Sequence, residues 1–113
     1  MAVKFNEYWN IVPEALNEYV EFMQRDKIPT MNRLGINIAA IWAALIGPSP
    51  QIISEGIAAD LDQLEAALKS ADYSKTSTRL LHFVTDYRSK VLISTGRFQH
   101  LPRVSEKGTI KFS

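Results

Sequence analysis

The chain has no cysteine among its 113 residues. That absence removes disulfides, thiolate metal ligands and a cysteine nucleophile together. It is compatible with a reducing compartment, and a cytoplasmic location is expected. Histidine is nearly as scarce, with only His82 and His100, far apart in the sequence. No zinc or haem ligand set is expected from them, and no metal or other cofactor. Neither charge dominates: 13 basic and 12 acidic side chains leave a formal +1, which argues against a general nucleic-acid binder. The longest apolar stretch, Ile36 to Ile46, stops at Gly47-Pro48, well short of the roughly 20 residues a spanning helix needs. No basic segment leads into an apolar one at the start, so neither a signal peptide nor a membrane partner is expected.

What remains is an ordinary globular composition, 46% hydrophobic and 22% charged, enough for one small domain. A chain of this size buries a single modest core, so pairing with a second copy would add stability. Charge is unevenly placed. Beyond Gly96 the chain carries Arg97, Arg103, Lys107 and Lys111 against Glu106 alone. The expected organisation is one domain over residues 1–95 and a basic tail over 96–113. Such a tail is more often solvated, or part of a dimer contact, than a phosphate-seeking arm.

The elements follow from periodicity and punctuation. Residues 3–12 alternate imperfectly, with Val3, Phe5, Glu7, Trp9 and Ile11 on one parity; aromatic and β-branched residues favour a strand, and Pro13 ends it. Phe5, Tyr8, Trp9 and Val12 also fit helical spacing, so a helix competes there. Leu16, Tyr19, Val20, Met23, Met31 and Leu34 form a helical stripe interrupted at Lys27, with Phe22 and Ile28 to its sides. Pro29 should kink or split that helix, and Gly35 should stop it.

Ile36–Ile46 and Gln51–Ala58 read as a β-hairpin around the Gly47-Pro48-Ser49-Pro50 turn, with a first strand apolar on both faces; a buried helix competes for the first run. Asp60–Leu68 is a short helix with Leu61, Leu64 and Leu68 inward. Ser77–Thr85 is a second helix with Leu80, Leu81 and Val84 inward and His82 on its surface. Tyr87–Ser94 is the last strand, and Gly108–Ser113 suits a short edge strand.

The order β-α-β-β-α-α-β gives an α+β, ferredoxin-like βαββαβ domain: a four-stranded antiparallel sheet with helices on one face. The other face still carries apolar residues. A second sheet from an identical chain is the simplest cover.

With these elements in place, residues 3–94 resemble the dimeric α/β-barrel superfamily, which includes NIPSNAP-like, antibiotic-biosynthesis-monooxygenase-like and EthD-like proteins and muconolactone isomerases. The resemblance rests on Trp9, Ile11 and Pro13 leading into a helix, on Ile28-Pro29-Thr30-Met31-Asn32-Arg33-Leu34-Gly35 at that helix's end, and on a hairpin followed by an acidic helix start. It implies a dimeric α/β barrel, joined through sheet faces, with a ligand pocket between each sheet and its own helices. Several relatives carry a histidine two residues before the proline. Here that position is Lys27.

On this reading the Glu7/Trp9/Ile11 parity points toward the pocket. Glu7 there needs a partner or a raised pKa, the latter suiting proton transfer; a salt-bridged or exposed glutamate is the plainer outcome. Trp9 and Trp42 would wall a planar ligand or be core. Glu55 repeats the Glu7 argument from a strand that pairs with the first, in a register the sequence does not fix. Arg88 would hold a carboxylate ligand or sit at a dimer seam. The ligand-binding candidates are therefore Glu7, Trp9, Trp42, Glu55 and Arg88, and no catalytic residue is assigned.

Two functions compete. The first is a non-catalytic homodimer that binds a small hydrophobic ligand or serves assembly. The second is a cofactor-free isomerase, cyclase or monooxygenase acting on a hydrophobic, oxygenated metabolite. The absence of the relatives' histidine and of a recognisable nucleophile set favours the first. Its assembly form requires a filled interior.

Overall fold

The structure is a computed structural model and describes residues 1–45 and 51–94. Strand β1 spans Val3–Ile11. A 3-10 turn (Pro13–Ala15) leads to α1 (Leu16–Phe22), a π-helical turn (Met23–Lys27) and α2 (Ile28–Arg33). Strands β2 (Asn37–Ala44) and β3 (Gln51–Ala58) follow, then α3 (Leu61–Leu68), α4 (Ala71–Leu80) and β4 (Val84–Ile93). The strands form one antiparallel sheet in the order β2-β3-β1-β4. This is the ferredoxin-like α+β arrangement expected from the element order.

The helices cover one face. Val3, Phe5, Glu7, Trp9 and Ile11 of β1 are all buried beneath them. One half of the core joins Trp9, Ile11, Ile52 and Val84 to Tyr19, Phe22, Met23 and Leu80. The other joins Val3, Phe5 and Ala58 to Met31, Ile36, Leu64 and Ala67. Fully buried side chains such as Met31 contribute roughly 1.5–3 kcal/mol each. Gly56 permits a close approach in the core: a Cβ there would lie 2.6 Å from Ile36 Cγ2 and 3.3 Å from the Phe5 carbonyl oxygen. Side-chain caps fix two helix starts. Asp60 accepts from the Gln63 amide at 2.8 Å, and Ser70 accepts from the Tyr73 amide at 3.1 Å.

Pro29 splits its helix as expected, through a π turn. Proline crowds the carbonyl four residues back and offers it no donor. The ladder widens instead, and the Ile28 amide bonds to the Met23 carbonyl, five residues back. The inward face differs from the expected stripe. Leu16 and Val20 are exposed, whereas Tyr19, Phe22, Met23, Lys27, Thr30 and Met31 are buried.

Other boundaries also move. The second helix of the later pair is Ala71–Leu80, not Ser77–Thr85, because Ser70 caps it early. Leu81 is exposed, and Val84 is buried as the first residue of β4. Strand β2 is an edge strand, and its apolar residues are largely uncovered in the single chain: Ile41 and Trp42 are exposed, as is Leu45 just beyond its end. Ile38 and Trp42 share a parity in the sequence, but an irregularity between Ile38 and Ala40 puts them on opposite faces. Ile38 pairs with Gly56 on the helix side, and Trp42 pairs with Ile53 on the other. The Gly47-Pro48-Ser49-Pro50 turn, the 96–113 tail and the Gly108–Ser113 strand lie outside the described residues. Among the described residues, no helix is long and apolar enough to cross a membrane.

Candidate functional site

The site grows from the middle of β1. Glu7 pairs with Ser54 of β3 on one side and Ser89 of β4 on the other. Two small neighbours leave room above the carboxylate, and three side chains converge there. Lys27 descends from the π turn, with Nζ 3.0 Å from Oε1 and 3.1 Å from Oε2 of Glu7. The Tyr73 hydroxyl from α4 donates to Oε2 at 3.3 Å. The Tyr87 hydroxyl from β4 donates to the same oxygen and lies 3.2 Å from that of Tyr73.

Tyr87 reaches this position through a bulge. Asn10 pairs with Thr85 and Tyr8 with Arg88, so Asp86 and Tyr87 together stand opposite Trp9. Asp86 takes the left-handed conformation, φ 56°, and its carboxylate accepts from Asn10 Nδ2 at 3.0 Å. The extra residue lets Val84 and Tyr87, three apart, both face the helices.

The aromatic shell is continuous with this cluster. Trp9 lies parallel to Tyr87, offset, with ring centroids 6.2 Å apart and an 8° interplanar angle. Its indole Nε1 donates to the Tyr19 hydroxyl at 3.0 Å. Lys27 Nζ lies 5.4 Å from the Tyr73 ring centroid and 6.0 Å from that of Trp9, within cation–π range.

Burial closes the site. Lys27 and Trp9 are 0% exposed and Glu7 is 1% exposed. Isolated, either charge would be costly here. Paired and hydrogen-bonded, they are neutral as a unit. Both oxygens of Glu7 accept from Lys27, and Oε2 also accepts from two phenols, which is not the arrangement of a free general base. The phenols stay protonated: burial first, and then the negative charge of Glu7, raises both Tyr73 and Tyr87. Burial raises Tyr19 to about 12, offset in part by the indole donor of Trp9. The cluster can hold a cation and donate hydrogen bonds; it does not present a base. Two surface hollows, about 310 Å³ beside Leu61 and Ile93 and about 670 Å³ along the outer side of α1, do not include these residues. No group of side chains among the described residues is suited to a metal ion.

Of the residues singled out from sequence, Glu7 and Trp9 meet here. The other three lie on the opposite face of the sheet. Trp42 is 59% exposed. Glu55 is half-buried and pairs with Asn6, a residue of the other parity from Glu7, so the two carboxylates do not share a site. Arg88 is exposed and lies over the Tyr8 ring at 5.7 Å. His82 is on the surface as expected. Sequence reasoning noted Lys27, as a break in the helical stripe and at the position of the relatives' histidine, but assigned neither it nor Tyr73 nor Tyr87 to the site. One signal was available for Lys27: it sits four residues from both Met23 and Met31, on the buried stripe itself.

Solved structures share this architecture. A NIPSNAP family protein from Agrobacterium tumefaciens superposes with a TM-score of 0.66 over 86% of this chain and 96% of its own, at 18% identity. The chain has the NIPSNAP fold. A second NIPSNAP-fold protein, an uncharacterised domain from Burkholderia xenovorans, gives 0.62 over 86% and 97%, at 13% identity. SnoaB from Streptomyces nogalater, a cofactor-independent oxygenase, gives 0.65 over 82% and 92%, at 14% identity. At these identities the NIPSNAP likeness is one of fold. No protein-family model and no curated protein matches the sequence.

Proposed function

We propose that this protein is a non-catalytic assembly module that acts as a homodimer in the cytoplasm, joined through the sheet faces its helices leave open. One observation carries the non-catalytic part. The space between sheet and helices, where the resemblance implies a ligand, is occupied by the chain's own Trp9, Lys27 and Glu7, all at most 1% exposed. The open face supplies the assembly part, with Trp42, Ile57 and Leu92 exposed on it.

The test joins a mass measurement to a ligand screen. Trp9 fluorescence in a Trp42→Phe background is followed while hydrophobic phenols and quinones are added. The reading expects a dimeric mass and no saturable change in Trp9 emission. Saturable binding abolished by Glu7→Gln would overturn it.

The second reading is a cofactor-free isomerase, cyclase or monooxygenase. The half-buried Tyr73 and Tyr87 favour it, because their hydroxyls link Glu7 toward the surface. It requires the Lys27–Glu7 pair to open. Turnover lost in both Glu7→Gln and Tyr87→Phe would support it over the first.

A further inference from the structure

The easily oxidised aromatic side chains of this protein are concentrated between sheet and helices. Three of its four tyrosines, Tyr19, Tyr73 and Tyr87, join Trp9 there, while Tyr8 and Trp42 stand on the other face of the sheet. They form a run of direct contacts. The Trp9 indole donates to the Tyr19 hydroxyl at 3.0 Å. It also lies nearly parallel to the Tyr87 ring, with an 8° interplanar angle and centroids 6.2 Å apart. The Tyr87 hydroxyl then meets that of Tyr73 at 3.2 Å. Exposure rises along the run: Trp9 is sealed from solvent and Tyr19 nearly so, whereas Tyr73 and Tyr87 are half-buried. The chain has no cysteine, so no thiol within it competes for an electron vacancy that enters this run.

We infer that this run is a relay that carries the loss of one electron from the core indole outward to Tyr87. A one-electron oxidant of the carbonate-radical class, acting from the protein surface, takes an electron from Trp9 and leaves as carbonate; ultraviolet light expels the same electron directly. The Lys27 ammonium, 6.0 Å from the Trp9 ring centroid, opposes the positive charge left there. Tyr87 refills the vacancy without becoming a cation, because its hydroxyl already donates to Glu7 Oε2. One electron passes from the Tyr87 ring to Trp9 through the stacked faces, and the phenolic proton passes to Glu7. Trp9 is restored, Tyr87 becomes a neutral phenoxyl radical, and Glu7 becomes a carboxylic acid. A paired carboxylate is no general base toward a substrate, yet it suffices here: a phenol that has lost an electron is a far stronger acid than any carboxylic acid. Lys27, without its counter-ion, keeps its contacts with the Trp9 and Tyr73 rings. An enediolate reductant of the ascorbate class, reaching half-buried Tyr87, then supplies one electron. Glu7 returns its proton, and the ion pair re-forms. No step involves a second copy of the chain, so the relay is independent of the assembly reading.

Pulsed ultraviolet photoionisation of the full chain tests the relay, at a wavelength the indole alone absorbs and in a Trp42→Phe background that leaves Trp9 as the sole tryptophan. Nitrous oxide and tert-butanol remove the expelled electron. Transient absorption should show the indole radical converting to a phenoxyl radical, first-order and at a rate independent of protein concentration. The conversion should be slower in deuterium oxide, because a proton moves with the electron. Tyr87→Phe keeps the stacked ring without its hydroxyl and should slow the conversion roughly tenfold or more. Tyr19→Phe, which removes the indole's other contact, should leave it in place. Ascorbate should erase the phenoxyl signal at a rate that rises with its concentration. A Trp9 radical that decays with no phenoxyl growth, growth unaffected by Tyr87→Phe, or growth lost in Tyr19→Phe would overturn the relay. A phenoxyl radical indifferent to ascorbate would overturn its return step. The deuterium comparison needs no core substitution, and equal rates in the two solvents would by themselves refute the proton transfer.

Discussion

Lys27→Met keeps most of the side chain's length and removes its charge. In the unaltered protein the ammonium is wholly buried, 3.0 and 3.1 Å from the two oxygens of Glu7. The variant leaves that carboxylate, 1% exposed, with two phenol donors and no cation. Removing one partner of a buried ion pair costs about 3–5 kcal/mol. Because Tyr73 and Tyr87 still donate to Glu7, the lower end applies, about 3 kcal/mol. At roughly 4 °C per kcal/mol for a domain near this size, the midpoint should fall by about 12 °C. Glu7→Gln should cost a similar amount, since it strands the ammonium. The double variant carries neither buried charge and should cost less than the sum of the two, with a coupling of roughly 2–3 kcal/mol. Urea denaturation followed by circular dichroism, with unchanged slopes, gives all four corners of the cycle. A loss under about 1 kcal/mol in Lys27→Met, or strict additivity in the double variant, would refute the closed pair.

Three further outcomes follow from the same geometry. Tyr19, Tyr73 and Tyr87 have folded-state pKa values above their unfolded value near 10. Their contribution to stability is complete below about pH 10 and is lost as pH rises through the folded values, for Tyr19 about 12. Phenolate absorbance at 295 nm should therefore lag behind that of the urea-unfolded chain, and Tyr19→Phe should remove one lagging component. Gly56→Ala should cost about 1–3 kcal/mol in chemical denaturation, because its Cβ would meet Ile36 Cγ2 at 2.6 Å. Asp86→Val should lose about 1–2 kcal/mol at its left-handed φ of 56°, while Asp86→Asn, which tolerates that conformation, should lose less. Equal losses in the two would show that the bulge does not depend on that residue.

The layered fold was legible because punctuation and periodicity agreed. Pro13 follows the end of β1 and Gly35 that of the first helical stretch, and the parity of Glu7, Trp9 and Ile11 on β1 points to the helices as the resemblance implied. The interior was less legible, for two physical reasons. Lys27 looked like a break in an apolar stripe, since periodicity scores a lysine as exposed. Its partner, Glu7, lies 20 positions away, and a long-range ion pair leaves no local pattern. Tyr87 is placed by a bulge that reverses the parity of β4 after Val84, and strict alternation cannot anticipate that reversal. The irregularity after Ile38 acts likewise on β2 and sends Trp42 to the open face. Glu55 resembled Glu7 in its apolar surroundings, and only the register with Asn6 separates their faces.

Sedimentation equilibrium of the full chain over a range of concentrations tests the assembly claim most directly. The open sheet face predicts a mass of twice the 12.8 kDa chain, lost when Trp42 and Ile53 are both replaced by serine. A single 12.8 kDa species at every concentration would contradict it.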